Sequence, residues 1–535
     1  MKSSRKGSIL CADALVEILE KNGTKYIFGH PGEQILPLYD ALRTSSIKHV
    51  LMRHEQGAAH AADGYARSSG KIGVCIATAG PGALNLVMGV ATAYKDSVPL
   101  LVITGDVSTD LIGGDVFQEI DLEAVFEPIT IKTFNIQEGK EAVLNLKMAI
   151  EMLKKGKTGP IHLNIPKNVF NSIINKSIIS KDVEYKVKND IKQLNSAINI
   201  LKNSQKPLIV AGSGVIWGNA ANDLEKFIEK HSIPLATTYP ARGVISEEHT
   251  LCLGMLGLRG TDAANFAGEN CDVIVGLGCR FSERTMVSIK DSKMIHVNLD
   301  QKVLKGDYNI QTSVKDFLNK IKDIDIQINK KWIQDISKYD KFHRIKIDSN
   351  VPLKPQKAVQ EIIDGTDDAI IVNDAGIHTT YVTLQKRVKK PGSLIFSGGF
   401  GPMGYALPAA IGVAFSDRPE SVVAITGDGG FQMTLQELAT IAQEQLPILI
   451  CIINNSSLGI IKQWQDLYYG GRYQVEMQNP DFIKLAESYG ITATRLTTPK
   501  SLEKVIKSID INKPYLIEIV VDPEEGIPLP KIKSN

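Results

Sequence analysis

Asp428 and Asn455 are the residues of this chain whose types and spacing point most directly to chemistry. Asp428 stands in Gly427-Asp428-Gly429-Gly430, just past the β-branched run 422–426, and Asn455 follows it by 27 residues, just past the apolar run 448–453. If the two runs are neighbouring strands of a parallel sheet, both side chains face one crevice at its carboxyl edge. One carboxylate and one amide form an oxygen-only donor set suited to Mg²⁺, which takes its remaining positions from phosphates and water. The glycines beside Asp428, Gly429 and Gly430, let main-chain N–H groups approach the same phosphates. Either residue alone is equally a turn former; the spacing in a strand context favours metal–diphosphate binding.

Glu55 is the second candidate. It lies in Arg53-His54-Glu55-Gln56-Gly57, after Val50-Leu51 and before a small-residue helix with Ala58, Ala59, Ala61 and Ala62. A carboxylate at the mouth of so tightly packed a segment is costly unless a partner shares its proton. On its own residues it reads more often as a helix N-terminal acid facing the helix dipole.

The elements that must position these groups repeat along the chain. β-branched runs, glycine turns, helical patterns and further apolar runs alternate, which predicts an α/β fold of three doubly wound parallel-sheet domains. Lys-, Asn-, Asp- and Ile-rich stretches at 171–195 and 319–350 mark the seams as linkers or surface helices, giving units at 1–180, 190–345 and 355–535. The first and third units echo one another: Gly80-Pro81-Gly82 precedes Pro99 by 19 residues, and Gly427-Asp428-Gly429 precedes Pro447 by 20, counted from the first glycine. The middle unit has strand-then-glycine turns at 207–214 and 272–278, which fit either a dinucleotide phosphate or merely a tight strand-to-helix turn.

Composition narrows the class. With 61 Lys and Arg against 59 Asp and Glu, the net charge of +2 gives no polyanion-binding surface, so no nucleic acid is expected. The 43% hydrophobic and 22% charged content is that of a globular protein. Six scattered cysteines without a C-x-x-C pair imply neither a zinc knuckle nor a disulfide framework and fit a reducing cytoplasm. The basic start is followed by Asp13, Glu17 and Glu20, which would spoil a signal-peptide core. The apolar run 406–415 spans ten residues, short of the ~18 a membrane helix needs.

Further motifs carry a resemblance. Gly29-His30-Pro31-Gly32, Arg53-His54-Glu55-Gln56, Gly80-Pro81-Gly82-Ala83-Leu84-Asn85-Leu86, Phe117-Gln118-Glu119, Ile165-Pro166-Lys167, Gly254-Met255-Leu256-Gly257 and the stretch 427–464 occur in order. Across essentially the whole chain the sequence resembles the thiamine diphosphate-dependent family of acetohydroxyacid (acetolactate) synthase catalytic subunits. The resemblance implies a pyrimidine-binding, a central FAD-binding and a diphosphate-binding domain, with active sites shared between two subunits of a homodimer or homotetramer. It implies that Glu55 hydrogen-bonds the cofactor's pyrimidine and drives its imino tautomer. Gly80, Asn85, Gly401 and Met403 would then hold the pyrimidine side, Gly376, His378, Gly429 and Gly430 the diphosphate, and Asp428, Asn455 and the Ser457 main-chain oxygen the Mg²⁺. Gln118, Lys167, Arg284 and Trp464 would line the acceptor site, the Arg284 cation meeting a carboxylate and the Trp464 indole forming an apolar wall. Gly212, Ser213, Gly214, Arg280 and Asp300 would hold FAD. Pyruvate and 2-oxobutyrate are the implied substrates, in branched-chain amino acid biosynthesis; whether a separate small regulatory subunit binds is left open by the sequence.

The match departs from the family in places. Glu33-Gln34 stands where family members usually carry Gly-Ala, Asp106 where Gln is usual, Glu283 where Asp is usual, and Thr312-Ser313 in a shortened segment after Asp300. These differences bear on acceptor preference and flavin retention. Two alternatives stay open: another thiamine diphosphate 2-oxo acid decarboxylase or carboligase, against which the set Lys167, Arg284 and Trp464 argues, and a silent cofactor-binding relative, against which Glu55 beside a complete metal set argues.

Overall fold

The structure is a computed structural model describing residues 7–347, 351–366, 368–510 and 512–529. Three six-stranded parallel sheets follow one another along the chain. In the first, the strands run from edge to edge as Lys48–Leu51, Tyr26–Gly29, Gly73–Ala77, Leu100–Asp106, Pro160–Pro166, Lys132–Asn135. Numbered within the sheet, the order is 2-1-3-4-6-5. The third sheet repeats it: Leu394–Ile395, Ile370–Asn373, Val422–Gly427, Ile448–Asn454, Tyr515–Val520, Thr492–Leu496. The central sheet runs Cys252–Met255, Leu235–Thr237, Pro207–Ala211, Val273–Leu277, Lys293–Asn298, Tyr308–Gln311, an order of 3-2-1-4-5-6.

The middles of the inner strands are buried, as in Val74-Cys75-Ile76 and Ile450-Cys451-Ile452, because helices cover both faces of a parallel sheet. In each sheet the direction of winding reverses beside the first strand, and there two strand-end loops diverge into a crevice. Those loops are the glycine-rich segments of the sequence: 30–32 and 78–82 in the first sheet, 212–214 and 278–280 in the second, 374–378 and 428–430 in the third.

The first and third units share one apolar core. Phe28, Tyr65 and the alanines of the helix Glu55–Ser69 pack with Tyr405, Leu407, Ile411 and Phe415 around the helix Ala406–Ala414. The two helices touch backbone to backbone: a Cβ on Gly64 would lie 2.2 Å from the Ala409 carbonyl oxygen, and one on Gly412 1.8 Å from that of Ala61. The apolar run at 406–415 is therefore an interdomain helix, and no helix among the described residues is long and apolar enough to cross a membrane. All six cysteines are buried and unpaired.

The Lys- and Asn-rich seams, expected as linkers or surface helices, carry a short strand and a helix. Ile173–Asn175 pairs antiparallel with Ser8–Leu10. The helix Lys330–Ile336 buries Trp332, whose indole donates to the Pro207 carbonyl at 3.1 Å and so seals the central sheet. Residues 348–350 of the second seam lie outside the described residues.

Candidate active site

The first sheet gathers Glu55, Gly80, Asn85 and Gln118. Glu55 is the first residue of its helix and only 8% exposed, and His54 caps the turn by accepting the Gln56 N–H on Nδ1. Asn85, one turn into the helix Pro81–Asp96, donates to Glu55 Oε2 at 3.0 Å. No hydrogen bond among the described residues engages Oε1, which faces Gly82 across a gap that a Cβ there would close to 3.0 Å. Gly80 caps the second helix at φ 54, in the left-handed region, and a Cβ on it would lie 2.6 Å from the Gln118 carbonyl oxygen. Gln118 is itself left-handed, at φ 66, and its buried Oε1 has no partner. Strained backbone and an unmet buried acceptor beside a shielded carboxyl are features that functional loops retain.

The third sheet gathers the other set. Asp428 follows the strand Val422–Gly427 and is buried, and Asn479 donates to its Oδ2 at 2.7 Å. Burial is the chief influence on the Asp428 carboxyl and raises its pKa. Asn455 follows the next strand, and its Oδ1 accepts the Ser457 N–H at 3.2 Å across Ser456, which is left-handed at φ 52. Among the described residues no cluster of three His, Cys, Asp or Glu side chains forms, so a cation here would depend on one carboxylate with amide and main-chain oxygens. His378 is buried, which pushes its pKa down to about 4, and its Nε2 has no partner. It lies beside Gly376 and Gly427, from whose Cβ positions its ring atoms stand 2.4 and 3.4 Å. The Met403 Cε lies 3.3 Å from a Cβ placed on Gly429.

Two residues that no sequence motif singled out hold this set together. Asp374 accepts N–H bonds from Ala375, Gly404 and Ala406 and a hydroxyl bond from Thr426, which ties its own loop, the 404–406 segment and the strand Val422–Gly427 to one carboxylate. Burial pushes its carboxyl up to about 6. Asn479 links Asp428 to Asn454 Oδ1, 3.0 Å away. Asp374 had a signal in the sequence, a strand-end acid before a glycine; Asn479 had none.

The remaining candidates are spread out. Lys167 Nζ lies 2.9 Å from Glu33 Oε1. Arg284 is largely exposed, 4.0 Å from Glu283, and its carbonyl accepts the Leu258 N–H at 2.8 Å. Trp464 is half-buried and stacks on Tyr468 with ring centroids 5.6 Å apart. Among the described residues no hydrogen bond, ion pair or ring contact joins Gln118, Lys167, Arg284 and Trp464 to one another.

In the central unit, the Gly212 and Gly214 N–H groups donate to Leu277 and Gly278 oxygens at 2.9 and 3.0 Å. The two turns pack so closely that a Cβ on Gly214 would lie 2.7 Å from the Gly278 Cα. These donors are spent within the fold, leaving Ser213 half-exposed between them. Arg280 reaches toward Asp96 at 3.9 Å, and Asp300 forms an ion pair with Lys157 of the first unit at 2.6 Å. Thr237, at the same sheet edge, has a fully buried hydroxyl without a partner.

Comparison with known proteins matches three family models in order. They are the N-terminal TPP binding domain of thiamine pyrophosphate enzymes at residues 10–125, the central domain at 194–321, and the C-terminal TPP binding domain at 374–519. The chain is 41% identical to a protein named probable acetolactate synthase large subunit from Methanocaldococcus jannaschii, over 97% of this chain and 93% of that one. It is 37% identical to the acetolactate synthase large subunit of Lactococcus lactis subsp. lactis, over 97% and 94%. Identity to the Haemophilus influenzae protein of the same name is 34%, over 96% and 95%.

Proposed function

From the premise that this chain belongs to the acetolactate synthase large subunits of the thiamine pyrophosphate enzyme family, we propose that it condenses pyruvate with a second 2-oxo acid. Thiamine diphosphate, when bound, supplies the electron sink for breaking and making carbon–carbon bonds, which no side chain offers. The observation that carries the reading is Glu55: shielded from water, oriented through Oε2 by Asn85, with Oε1 left without a hydrogen bond. A carboxyl so held can keep or pass one proton at Oε1 to a ring nitrogen placed against it.

The third-sheet residues suit the diphosphate end. Asp428, Asn455 and the Ser457 main-chain oxygen would hold Mg²⁺, whose charge lets anionic phosphates approach the Asp428 carboxylate. The orphaned His378 Nε2 and Ser457 Oγ are buried polar atoms waiting for a partner. Gly376, Gly429 and Gly430 line the approach, and Gly401 and Met403 would support the ring between the two ends.

We propose three units, 1–180, 190–345 and 355–535, each built around one of the six-stranded sheets. The Glu55 set and the Asp428 set belong to different units, and among the described residues no hydrogen bond or ion pair joins them directly. We propose that a second copy of the chain supplies the missing half of each site. FAD would lie at the crevice of the central sheet on Ser213, Arg280, Asp300 and the Thr237 hydroxyl, in a supporting role because the net reaction transfers no electrons. Gln118, Lys167, Arg284 and Trp464 would meet the acceptor, pyruvate or 2-oxobutyrate, and a small regulatory subunit is a further expected partner. The test is a product assay: the purified chain with thiamine diphosphate, Mg²⁺ and pyruvate yields acetolactate, and with added 2-oxobutyrate also acetohydroxybutyrate. Acetaldehyde as the sole product would make it a simple decarboxylase.

A further inference from the structure

We infer that Glu437 is a positioning residue for Glu55: a buried carboxylate of the third unit clamps the turn from which the proton-handling carboxyl projects. The inference rests on the role given to Glu55 above. Glu437 ends the short 3-10 turn Leu435–Glu437 and is 0% exposed. Its Oε1 accepts the N–H groups of Arg53 at 3.2 Å and His54 at 3.1 Å, and its Oε2 lies 3.2 Å from the Arg53 N–H donor and 2.8 Å from the Thr440 hydroxyl. Thr440 Oγ1 is also 3.2 Å from the Leu51 carbonyl oxygen, and the Arg53 guanidinium reaches both Leu51 O and Gln443 Oε1. The whole turn 51–54 is thereby held from the third unit.

Gly57 shows how tight the fit is. A Cβ there would lie 2.4 Å from Glu437 Oε1, so glycine at this position admits the carboxylate. An apolar side chain could fill the same space and hold two domains together at lower cost, since burying a carboxyl carries a desolvation penalty. Only an acceptor can satisfy two main-chain N–H groups that precede the helix and have no helical partner. Desolvation raises the Glu437 carboxyl, while the Thr440, Arg53 and His54 donors and the Arg53 charge pull it back down. Asp428 begins the same chain segment nine residues earlier, so one stretch of backbone carries a candidate metal ligand and the clamp on Glu55.

The experiment compares wild type with Glu437→Ala and Glu437→Gln. In the cofactor-free protein, backbone amide exchange read by mass spectrometry across 51–57 should rise at least about tenfold in Glu437→Ala while the sheet strands stay protected. With thiamine diphosphate and Mg²⁺, kcat should fall about 10–100-fold with KM for pyruvate and cofactor affinity within about threefold of wild type. Deuterium exchange at the thiazolium carbon of the bound cofactor should slow by the same factor. Glu437→Gln, which keeps the volume and one acceptor oxygen, should fall between the two and serves if the alanine variant does not fold. Wild-type amide exchange across 51–57, or a kcat loss with undiminished exchange at the thiazolium carbon, overturns the inference. Failure of the Glu55 reading shows separately, as undiminished exchange at that carbon in Glu55→Gln.

Discussion

The Lys167 ammonium lies 2.9 Å from the Glu33 carboxylate, and both groups stand at the carboxyl edge of the sheet that carries Glu55. A substrate carboxylate drawn to Lys167 has to displace Glu33. The pair is partly exposed, Lys167 at 32% and Glu33 at 63%, so the competition is worth about 0.2–1 kcal/mol. Glu33→Gly should therefore lower KM for pyruvate by roughly 1.5–5-fold with little change in kcat, and the effect should shrink as salt screens the charges. Steady-state kinetics at low and high ionic strength check this; an unchanged KM at low ionic strength contradicts it.

If Mg²⁺ is held at Asp428 as proposed, its removal should disable cofactor retention before chemistry. Asp428→Ala leaves amide and main-chain oxygens without the charge that offsets a divalent ion, so thiamine diphosphate should dissociate on gel filtration in Mg²⁺ buffer. Chelation should do the same to wild type, reversibly. Equal cofactor affinity in Asp428→Ala and wild type would contradict the proposed role of Asp428 as a Mg²⁺ ligand.

The crevice of the third sheet was legible because strand, glycine and spacing are local patterns. Asp428 and Asn455 do stand at the ends of adjacent strands, and the near-equal glycine-to-proline intervals of the first and third units correspond to one strand order, 2-1-3-4-6-5. Long-range pairings left no such trace. Glu437 meets Arg53 and His54 across 384 and 383 residues, and nothing in either segment announces the other. The central glycines show a different limit: the turn at Gly212 and Gly214 fits either a phosphate cradle or a tight strand-to-helix turn, their N–H groups bond the neighbouring turn, and a sequence pattern does not distinguish a free donor from a packed one. Trp332 sits in a Lys- and Asn-rich stretch whose composition fitted a surface helix but did not show that its indole would be buried against the central sheet.

Trp464, stacked on Tyr468, is expected to bury the extra methylene of 2-oxobutyrate. One methylene in an apolar pocket is worth ~1–3 kcal/mol, so any acceptor preference should stay within about two orders of magnitude. Trp464→Leu should erase most of it while acetolactate formation from pyruvate alone continues. A competition assay with both acceptors reads the product ratio, and an unaltered ratio would leave the indole as packing.

Stability should fall with acid through buried neutral histidines. His162 is fully buried in the strand Pro160–Pro166, with Nε2 2.8 Å from the Thr104 hydroxyl and its ring stacked on Phe126 at 4.1 Å, and burial pushes its pKa down to about 3. Below about pH 6.5 the unfolded chain binds a proton that the folded chain refuses, so stability present above that pH is lost progressively down to about pH 3. The loss is about 1.4 kcal/mol per pH unit for the group, or roughly 2 kcal/mol by pH 5. His162→Phe keeps the stack and leaves Thr104 its bond to Asn164 Oδ1. Urea midpoints at pH 7 and pH 5 should differ less in the variant than in wild type; an equal difference would contradict a neutral buried His162.

Glu55→Gln tests the central claim most directly, because it keeps the volume and the polar contact with Asn85 while abolishing the capacity to exchange a proton at Oε1. The rate of acetolactate formation from pyruvate, measured with saturating thiamine diphosphate and Mg²⁺, should fall about 10²–10⁴-fold relative to wild type while cofactor binding persists. Acetolactate produced by Glu55→Gln at the wild-type rate would contradict the account.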